Sequence, residues 1–398
     1  MTTPLFDVSD PAFLADPYPA LAAARATGEL QWHSGFQQNV ALSHAACSAV
    51  LRDNGMGRLW SDREPAQAFE AFNLLHRHSL LESEPPTHTR LRRLVAGAFG
   101  RGHTERLRPV VAALALRLVD SLAEQLHDGV EADLLETVAA PLPVEVIAEL
   151  LGVPETVRPA LRGWSSAIVR LYEPSPPPVH QAAAEQAAAD FLGALRELVA
   201  ARRQAPRDDL VSDMIAAQAE GEGRLSDDEL VATCALLLMA GHEATVNGVG
   251  NGVLALLQHP EQWQRVVDGA DLALAAEELL RFDSPLQLFE RTATRDVVVA
   301  GVAVRRGETV AALLGAAGRD PAVFTDPDTL DVGRSPNPHL GFGVGLHYCL
   351  GAPLARIELQ TVLGALAARL PGVQLARTPQ RRPGFVLRGL QELRLTRA

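Results

Sequence analysis

The chain contains no lysine, since all 36 of its basic residues are arginine. Arginine and lysine differ physically, but no structural rule excludes lysine everywhere, so we interpret its absence as a compositional bias. Acidic residues outnumber basic ones and give a net charge of -12. A general nucleic-acid-binding protein needs an excess of positive charge to displace counterions from phosphates. The composition therefore favours a small or neutral ligand over nucleic acid.

Cysteine is also scarce, with only Cys47, Cys234 and Cys349 and no CxxC pair. This spacing indicates neither a disulfide framework nor a zinc site, and it favours a reducing cytoplasm. The first residues, MTTPLFDVSDPAFLADPYP, lack the basic cluster and apolar run of a signal peptide. The longest apolar stretch, residues 230–241, is well short of the roughly 20 residues that span a bilayer. It predicts a buried helix in a protein without a membrane anchor.

Helical periodicity dominates from about residue 43 to residue 281, for example over residues 107–126 and 182–203. Proline-containing segments predict breaks at residues 83–86, 141–143 and 173–178, the last as a surface loop. Strand patterns are few. They lie at residues 30–42, at residues 296–304 with a turn at Ala300-Gly301, and at residues 385–395. With 47% hydrophobic and 21% charged residues the chain has globular composition. We predict one mainly α domain with small β-sheets over residues 1–398.

The segment HLGFGVGLHYCLG, residues 339–351, places four glycines and Cys349 ahead of an apolar helix that begins near Ala352-Pro353. Glycine permits backbone conformations that other residues rarely adopt. A cysteine just before a helix start meets unpaired N–H groups and the positive end of the helix dipole, and both favour the thiolate, the form that binds metals. A cysteine without such a setting is ordinary packing, which is our interpretation of Cys47 and Cys234.

Six residues of this segment match the haem-binding signature FGxGxHxCxG of the cytochrome P450 family, which the chain therefore resembles. They are Phe342, Gly343, Gly345, His347, Cys349 and Gly351. The resemblance implies the cytochrome P450 fold, a large helical body with a minor β-rich region. It also implies haem b with Cys349 as the axial thiolate ligand of the iron. Weaker matches extend over nearly the whole chain in the order that the family has them.

Glu278 and Arg281 lie three residues apart, a spacing that pairs opposite charges on a helix. Taken alone, such a pair is a solvated helix face of small energetic effect. In the family, an ExxR pair at this distance before the cysteine joins a third arginine, and Arg334 stands at that position. The resemblance thus implies a structural triad that braces the cysteine loop.

Haem carries two propionates, which need cationic or hydrogen-bonding partners near the protein interior. Four residues match family positions for this task, although each alone would be read as a surface residue. They are His88, Arg92, Arg291 and His347.

Ala240 and Gly241 begin the segment AGHEAT in an apolar helix, and Gly241 leads us to expect that the helix opens above the iron. In the family this segment reads AG-x-acid-Thr-Thr, and the first threonine helps deliver protons to oxygen. Here that position is Ala244, which can neither donate nor accept a hydrogen bond. The relay must then use Glu243, ordered water, Thr245 or a substrate hydroxyl. Glu243 could equally pair with an arginine, and Thr245 could bond to the preceding turn.

Family analogy places substrate contacts in residues 58–80 and 170–180, on the apolar helix, near residues 286–288 and around Phe385. The apolar side chains in these segments would form a pocket with few polar anchors, although each could equally belong to the core. The candidates are Leu75, Leu286, Leu288 and Phe385, with Phe72 beside them.

No GxGxxG fingerprint or four-cysteine cluster is present, so electrons must come from a separate donor. The resemblance suggests a ferredoxin or flavodoxin that docks on the cysteine side of a monomeric enzyme. Arg90, Arg93 and Arg101 could supply complementary charge, or could form a solvated basic helix.

Together these features predict a monooxygenase that inserts one oxygen atom of O2 into a small, largely apolar organic substrate. Two alternatives use the same haem: a peroxide-driven peroxygenase, which Ala244 makes plausible, and a non-catalytic haem-binding sensor. Restoring threonine at position 244 is expected to leave haem binding intact and to alter the ratio of product to reductant consumed.

Overall fold

A computed structural model of the protein describes residues 4–96, 99, 101–127, 129–173, 176–219 and 225–397. Helices dominate these residues. They are α1 (Pro11–Ala15), α2 (Tyr18–Thr27), α3 (His44–Arg52), α4 (Glu70–Arg77), α5 (Thr87–Ala96), α6 (Arg101–Gln125), α7 (Pro141–Leu151), α8 (Arg158–Val169), α9 (Pro178–Gln204), α10 (Leu210–Ala219), α11 (Asp227–Gln258), α12 (Pro260–Val267), α13 (Leu272–Phe282), α14 (Leu314–Gly318) and α15 (Ala352–Arg369).

The strands are short, and most lie in the second half of the chain. They are β1 (Leu30–His33), β2 (Gln38–Ala41), β3 (Met56–Gly57), β4 (Ala132–Asp133), β5 (Leu288–Ala293), β6 (Val297–Val299), β7 (Val302–Val304), β8 (Thr309–Leu313), β9 (Val373–Leu375) and β10 (Arg394–Arg397). Five of them form a sheet of order β1-β2-β8-β5-β3, in which only β2 and β8 are parallel. A three-stranded sheet, β4-β10-β9, and the hairpin β6-β7 complete the described strands. The predicted mainly α class with small sheets is therefore confirmed.

The described chain forms two compact units. The first comprises residues 1–57, 108–139 and 244–398, and contains all ten strands. One apolar cluster packs α3 against β8 and includes Cys47, Val50 and Val310. A second cluster is rich in aromatic rings and gathers Phe6, Phe13 and Phe385 beside β2 and β8.

The second unit comprises residues 58–107 and 140–243, and it is helical. Helices α4, α8 and α10 pack along α9. Phe191 of α9 is fully buried, and its ring lies 5.6 Å from that of Trp164 on α8. Phe72 and Leu75 turn the apolar side of α4 into the same interior.

Several local predictions are confirmed. The hairpin β6-β7 turns at Ala300 and Gly301, whose φ angles of 48° and 77° are those of the tight turn that suits a two-residue hairpin. Residues 107–126 and 182–203 lie largely within α6 and α9. The prolines at 141–143 mark a boundary between helical segments as predicted: a π-helix ends at residue 139, and the prolines occupy the first turn of α7, where a missing N–H costs nothing. Of the predicted tail strand, only β10 forms regular pairing, with two isolated bridges before it.

Residues 230–241 lie inside α11, which is longer than the apolar stretch predicted. By length and composition α11 could cross a membrane, but 72% of its most apolar window is buried within the protein. Such burial is typical of the core helix of a globular protein. The prediction of a buried helix is therefore confirmed.

Candidate active site

The loop of residues 339–351 is shaped by two glycines in the left-handed region. Gly343 and Gly345 have φ angles of 67° and 82°. A Cβ at Gly345 would lie 2.6 Å from the carbonyl oxygen of Leu51, so the loop also needs glycine for close packing. The amide of Cys349 donates to the carbonyl of Phe342 at 3.0 Å and closes the loop. The backbone at Gly351 then caps α15, which begins at Ala352 as expected.

The three cysteines occupy different environments. Cys47 and Cys234 are fully buried, and burial raises the pKa of both thiols, that of Cys234 to about 12. Cys47 lies in the core against the carbonyl oxygen of Ala41. Cys349 is partly exposed, in a loop directly before a helix start. The two buried thiols are packing groups as predicted, because a thiol with so high a pKa is a poor metal ligand.

Glu278, Arg281 and Arg334 form the predicted triad. The Glu278 carboxylate accepts two hydrogen bonds of 2.7 Å from the Arg281 guanidinium, and Nε of Arg334 lies 3.1 Å from both of its oxygens. Glu278 and Arg281 are almost fully buried. Arg281 also donates to the carbonyls of Gly318 and Pro327, so the triad joins α13 to the segment before the cysteine loop. This buried geometry replaces the solvated pair that spacing alone would suggest.

The four candidate propionate partners lie in both units. Arg291 on β5 is 3% exposed, and one of its nitrogens donates to the carbonyl of Glu290. A guanidinium carries five N–H donors and can bond to a carboxylate as well. His347 is partly exposed, two residues before Cys349. In the second unit, α5 carries the buried His88 and, one turn later, the half-buried Arg92.

Helix α11 does not open at Gly241, contrary to our expectation; its helical backbone is continuous from Asp227 to Gln258. The glycine has a packing role instead. A Cβ there would lie 3.1 Å from Cγ1 of Ile147, so its absence lets α7 approach. Between residues 230 and 256 of α11, the side chains that are not buried are Leu236, Ala240 and Ala244, which lie four residues apart on one face, with Gly241 beside them. One stripe of α11, made of leucine and alanine, is thus less buried than the rest.

Glu243 contacts a hydroxyl group and an imidazole ring. It is 6% exposed, and Oγ of Ser166 on α8 donates to its carboxylate at 2.7 Å. Nε2 of the neighbouring His242 lies 3.6 Å from the same carboxylate oxygen. The other ring nitrogen of His242 bonds to the carbonyl of Leu238 at 2.7 Å. Ser166 and His242 are therefore among the partners of this acid.

Thr245 contacts Glu358, a residue that the sequence analysis did not single out. Its hydroxyl hydrogen-bonds to the carboxyl group of Glu358 on α15. Burial raises the pKa of Glu358 to about 8, and the bond from Thr245 partly offsets the rise. Glu358 is therefore mainly protonated at neutral pH. An acid at a buried position of an apolar helix was the available signal, but its partner could not be read from the sequence.

The candidate pocket residues are all buried or half-buried. Leu288 and Phe385 come together in the aromatic cluster of the first unit, and Leu286 packs beside its other apolar cluster. Leu75 lies on α4 in the second unit and is 2% exposed. Phe385 has Phe6, Phe13 and Phe36 as ring neighbours, which is a core environment. A pocket role for these four residues stays a prediction.

Of the candidate docking arginines, Arg90 donates to Glu229 of α11 at 3.1 Å, so part of its charge is already matched. Arg93 is exposed on α5. The side chain of Arg101 lies outside the described residues.

Comparisons with known proteins identify the family of this chain. A family model described as cytochrome P450 matches residues 166–370. The chain is 40% identical over 392 residues to nocardicin C N-oxygenase of Nocardia uniformis subsp. tsuyamanensis, covering 95% of this chain and 92% of that protein. It is 38% identical over 393 residues to the cytochrome P450 monooxygenase PikC of Streptomyces venezuelae, covering 96% and 91%. The solved structure of P450BioI in complex with hexadec-9Z-enoic acid ligated acyl carrier protein matches with TM-score 0.92 and 34% identity, covering 98% and 99%.

The fold and the cysteine loop define a haem-thiolate enzyme, and the chain belongs to the cytochrome P450 family. Its relatives are monooxygenases, and the chain is one too. The cofactor of this family is haem b with an axial cysteine thiolate. The residues present fit that group: the first unit contains the partly exposed Cys349 and the buried cation Arg291, and α11 has a stripe of apolar side chains.

Proposed function

We propose that the protein inserts one oxygen atom of O2 into a small, largely apolar organic substrate, with Cys349 as the axial ligand of the haem iron. The observation that carries this proposal is the setting of Cys349. It is partly exposed in a glycine-shaped loop before α15, whereas Cys47 and Cys234 are sealed in the core. Among the three cysteines, Cys349 is therefore the one that can bind a metal as a thiolate.

Four side chains would hold the propionates of the haem: His88, Arg92, Arg291 and His347. Charge-assisted hydrogen bonds to carboxylates are the strong ones, and of the two arginines the buried Arg291 is screened less by water than the half-buried Arg92. When bound, a haem with a thiolate ligand supplies dioxygen activation, since the anionic sulfur pushes electron density onto the iron.

Proton supply in this chain rests on Thr245 and Glu358 rather than on position 244. Ala244 offers a methyl group, which leaves room on the less buried stripe of α11 but carries no proton. The Glu358 carboxyl holds a proton below about pH 8, and the Thr245 hydroxyl is bonded to it. A group with a pKa near the working pH can both give and regain a proton. Glu243, bonded to Ser166, is a second acid one residue before Ala244.

Substitution of each cysteine tests the ligand assignment. Wild-type protein loaded with haem, reduced and exposed to carbon monoxide should give a thiolate-type absorption band. Cys349→Ala should abolish that band, while the matched controls Cys47→Ala and Cys234→Ala should retain it. A thiolate-type band that persists in Cys349→Ala would overturn the proposal.

The presence of alanine at position 244 also bears on the peroxide-driven alternative. Preformed peroxide carries its own protons and electrons, so a peroxygenase needs no proton relay. Turnover with a reductase system and O2 supports the monooxygenase assignment. Turnover with peroxide alone would favour the alternative, and ligand-linked conformational change without turnover would favour a sensor.

For the substrate, the names of the relatives set a range that runs from an acyl chain on a carrier protein to the substrate of an N-oxygenase. We place this substrate among small apolar molecules, because the less buried stripe of α11 consists of leucine and alanine. A screen of compounds for a shift in the haem spin-state spectrum would identify the class.

The proposed enzyme is a cytoplasmic monomer that forms one domain over residues 1–398. Its electrons come from a separate ferredoxin or flavodoxin. The exposed Arg93 would add to charge complementarity with an acidic donor. Reduction rates that fall with rising salt for wild type, and fall less steeply for Arg93→Gln, would support this docking; equal salt dependence would contradict it. Sedimentation at several concentrations tests the monomer.

A further inference from the structure

Arg356 lies on α15, two turns beyond Cys349, and contacts helix α13 and the cysteine loop of the first unit. Its Nε and Nη2 donate to the two oxygens of Glu277 on α13, at 2.6 and 2.8 Å. Its Nη1 lies 3.1 Å from the hydroxyl oxygen of Tyr348, and the guanidinium carbon lies 4.5 Å from the centre of the Phe342 ring. One planar cation thus forms a bidentate ion pair, a hydrogen bond and a cation–π contact.

Both loop contacts of Arg356 are residues bonded to Cys349, one through the chain and one through a hydrogen bond. Tyr348 directly precedes Cys349 in the chain, and Phe342 supplies the carbonyl that accepts the amide hydrogen of Cys349 at 3.0 Å. The side chains of both neighbours are therefore held by the same guanidinium. The aromatic ring of Tyr348 also lies 6.5 Å from that of Phe342 in an edge contact. The backbone of Cys349 is thus linked to Arg356 through both Tyr348 and Phe342.

Glu277 is fixed on its other side by His339, the first residue of the loop. Nε2 of His339 lies 3.1 Å from the Glu277 carboxylate, and Nδ1 accepts the amide hydrogen of Gly341 at 3.1 Å. Burial raises the pKa of Glu277, but hydrogen bonds from Arg356 and His339 outweigh burial and lower it to about 2. Glu277 is therefore ionised, and it neutralises Arg356 beside the loop.

We infer that Arg356 is a positioning residue for the Cys349 sulfur, and that the Arg356–Glu277 pair sets the charge felt by that sulfur. This inference rests on the proposed role of Cys349 as the iron ligand. It is independent of the triad Glu278–Arg281–Arg334, which holds the segment before the loop, because Arg356 contacts Phe342 and Tyr348 of the loop itself.

The sign of the electrostatic effect separates this role from a merely structural one. Removing the cation in Arg356→Met leaves Glu277 as an uncompensated negative charge, which disfavours addition of an electron to the iron and lowers the reduction potential. Removing the anion in Glu277→Gln leaves the cation and raises the potential. A loop that only became looser would shift the potential of both variants in the same direction.

The test uses haem-loaded variants, with Arg369→Met as the matched control. Arg369 lies on the same helix and pairs with Asp120 at 2.6 Å, away from the loop. After reduction in carbon monoxide, part of the protein can give the absorption band of a neutral thiol ligand in place of the thiolate-type band; we call this part the thiol-type fraction. It should be several-fold larger in Arg356→Met than in Arg369→Met. Reduction potentials measured by dye titration should fall in Arg356→Met and rise in Glu277→Gln. Equal thiol-type fractions in the two methionine variants, or shifts of the same sign, would each overturn the inference.

Two further variants keep the inference testable should Arg356→Met fail to fold. Arg356→Lys retains the charge but not the fork, so it should keep the wild-type potential while its thiol-type fraction rises. Tyr348→Phe removes only the hydroxyl and should raise the thiol-type fraction by a smaller factor; no rise in either variant would contradict the positioning role. Failure of the proposed function is distinct, because wild-type protein itself would then lack the thiolate-type band.

Discussion

Glu358 is a buried glutamate that stays protonated at neutral pH, which glutamate in water does not. An ordinary glutamate is ionised at neutral pH, whereas Glu358 is 2% exposed and lies on an apolar helix. Desolvation disfavours its charged form, and the single hydroxyl of Thr245 does not restore what water would provide. The residue therefore holds a proton at the pH where a monooxygenase consumes protons.

Glu358→Gln should abolish this proton store. In wild type, infrared difference spectra should show a protonated carboxyl band that disappears as the pH rises through about 8. The variant should lack the band, retain the haem spectrum and produce less product per reductant consumed, because protons arrive more slowly. Thr245→Val should lower the product ratio as well, whereas Thr245→Ser, which keeps the hydroxyl, should not. An unchanged product ratio in Glu358→Gln would contradict the relay.

The same group makes stability depend on pH with a definite sign. The pKa of Glu358 is raised from its ordinary value to about 8 in the folded protein, so folding retains a proton that the unfolded chain releases. The contribution of protonated Glu358 to the free energy of unfolding is full below the pKa that glutamate has in the unfolded chain. It is lost as the pH rises to about 8, by at most about 1.4 kcal/mol per pH unit. Denaturant unfolding of Glu358→Gln should lack this decline, and an identical slope in the variant would show that the carboxyl is ionised when folded.

Among the secondary-structure elements, helix α13 is held by a cluster of charged side chains that is almost fully buried. Glu278 accepts bonds from both arginines of the triad and from the amide of Asp331 at 2.9 Å. Arg281 is 1% exposed, whereas the side chain of Arg334 is 12% exposed. Removing one partner of a buried ion pair leaves the other charge without compensation, and the cost rises with burial.

Arg281→Met should therefore destabilise the protein more than Arg334→Met does. We expect a loss of about 3–5 kcal/mol for Arg281→Met and of about 1–3 kcal/mol for Arg334→Met. Denaturant midpoints measured on the haem-bound protein report the difference, with Arg369→Met as a surface control that should change little. Equal losses for the two triad variants would mean that burial does not set the energy of this cluster.

Helix α4 is held from both ends by other elements of the second unit. No side chain caps its start locally, because the residue before it is Phe69; the carboxylate of Glu185 on α9 accepts the amides of Ala71 and Phe72 at 2.7 and 3.0 Å. Near its end, His76 bonds through Nε2 to the hydroxyl of Tyr172 at 2.9 Å. A negative group at a helix start satisfies free N–H groups and the helix dipole together.

Glu185→Ala should loosen α4 without unfolding the protein. The loss of a cap costs about 1 kcal/mol, which corresponds to about five-fold faster hydrogen exchange of the α4 amides. The exchange of α13 amides should be unchanged. Glu197→Ala, at an exposed position of the same helix α9, is the matched control and should leave α4 as it is. Equal exchange in both variants would show that the carboxylate does not hold α4.

At the scale of the whole molecule, a buried acid connects the two ends of the chain within the first unit. The Asp283 carboxylate accepts bonds from the hydroxyl of Tyr18 at 2.7 Å, from Arg388 at 2.6 Å and from Arg381 at 2.7 Å. Burial raises the pKa of Asp283, but the two arginines outweigh it and lower the pKa to about 2. Residues near both termini thus depend on one ionised group.

Acidification should weaken the contacts of Asp283 with Tyr18, Arg381 and Arg388. Because the folded pKa of Asp283 is depressed, its contribution is full above the ordinary aspartate pKa and is lost as the pH falls toward about 2, by about 2 kcal/mol. Asp283→Asn should be less stable than wild type at neutral pH and should lose less further stability on acidification. Urea midpoints at about pH 5 and about pH 3 check this. A variant as acid-sensitive as wild type would place the sensitivity elsewhere.

Much of the fold and site could be predicted because the signals are local. The turn at Ala300-Gly301, the start of α15 near Ala352 and the cysteine setting all follow from residues adjacent in the chain. The triad could be anticipated only from the family resemblance, since the spacing of Glu278 and Arg281 alone indicates an exposed pair. Gly241 was misjudged, because its closest neighbour, Ile147, belongs to a distant helix.

Local sequence was enough to single out Cys349 as the candidate iron ligand, since the glycines and the helix start beside it belong to one loop. The partners of Thr245, Arg356 and the start of α4 became known only from the folded structure. Each of those contacts joins residues on different helices, and desolvation, which sets the charge of Glu358 and Glu277, depends on everything packed around a group. Periodicity and spacing describe one element at a time, so they carry no information about such neighbours.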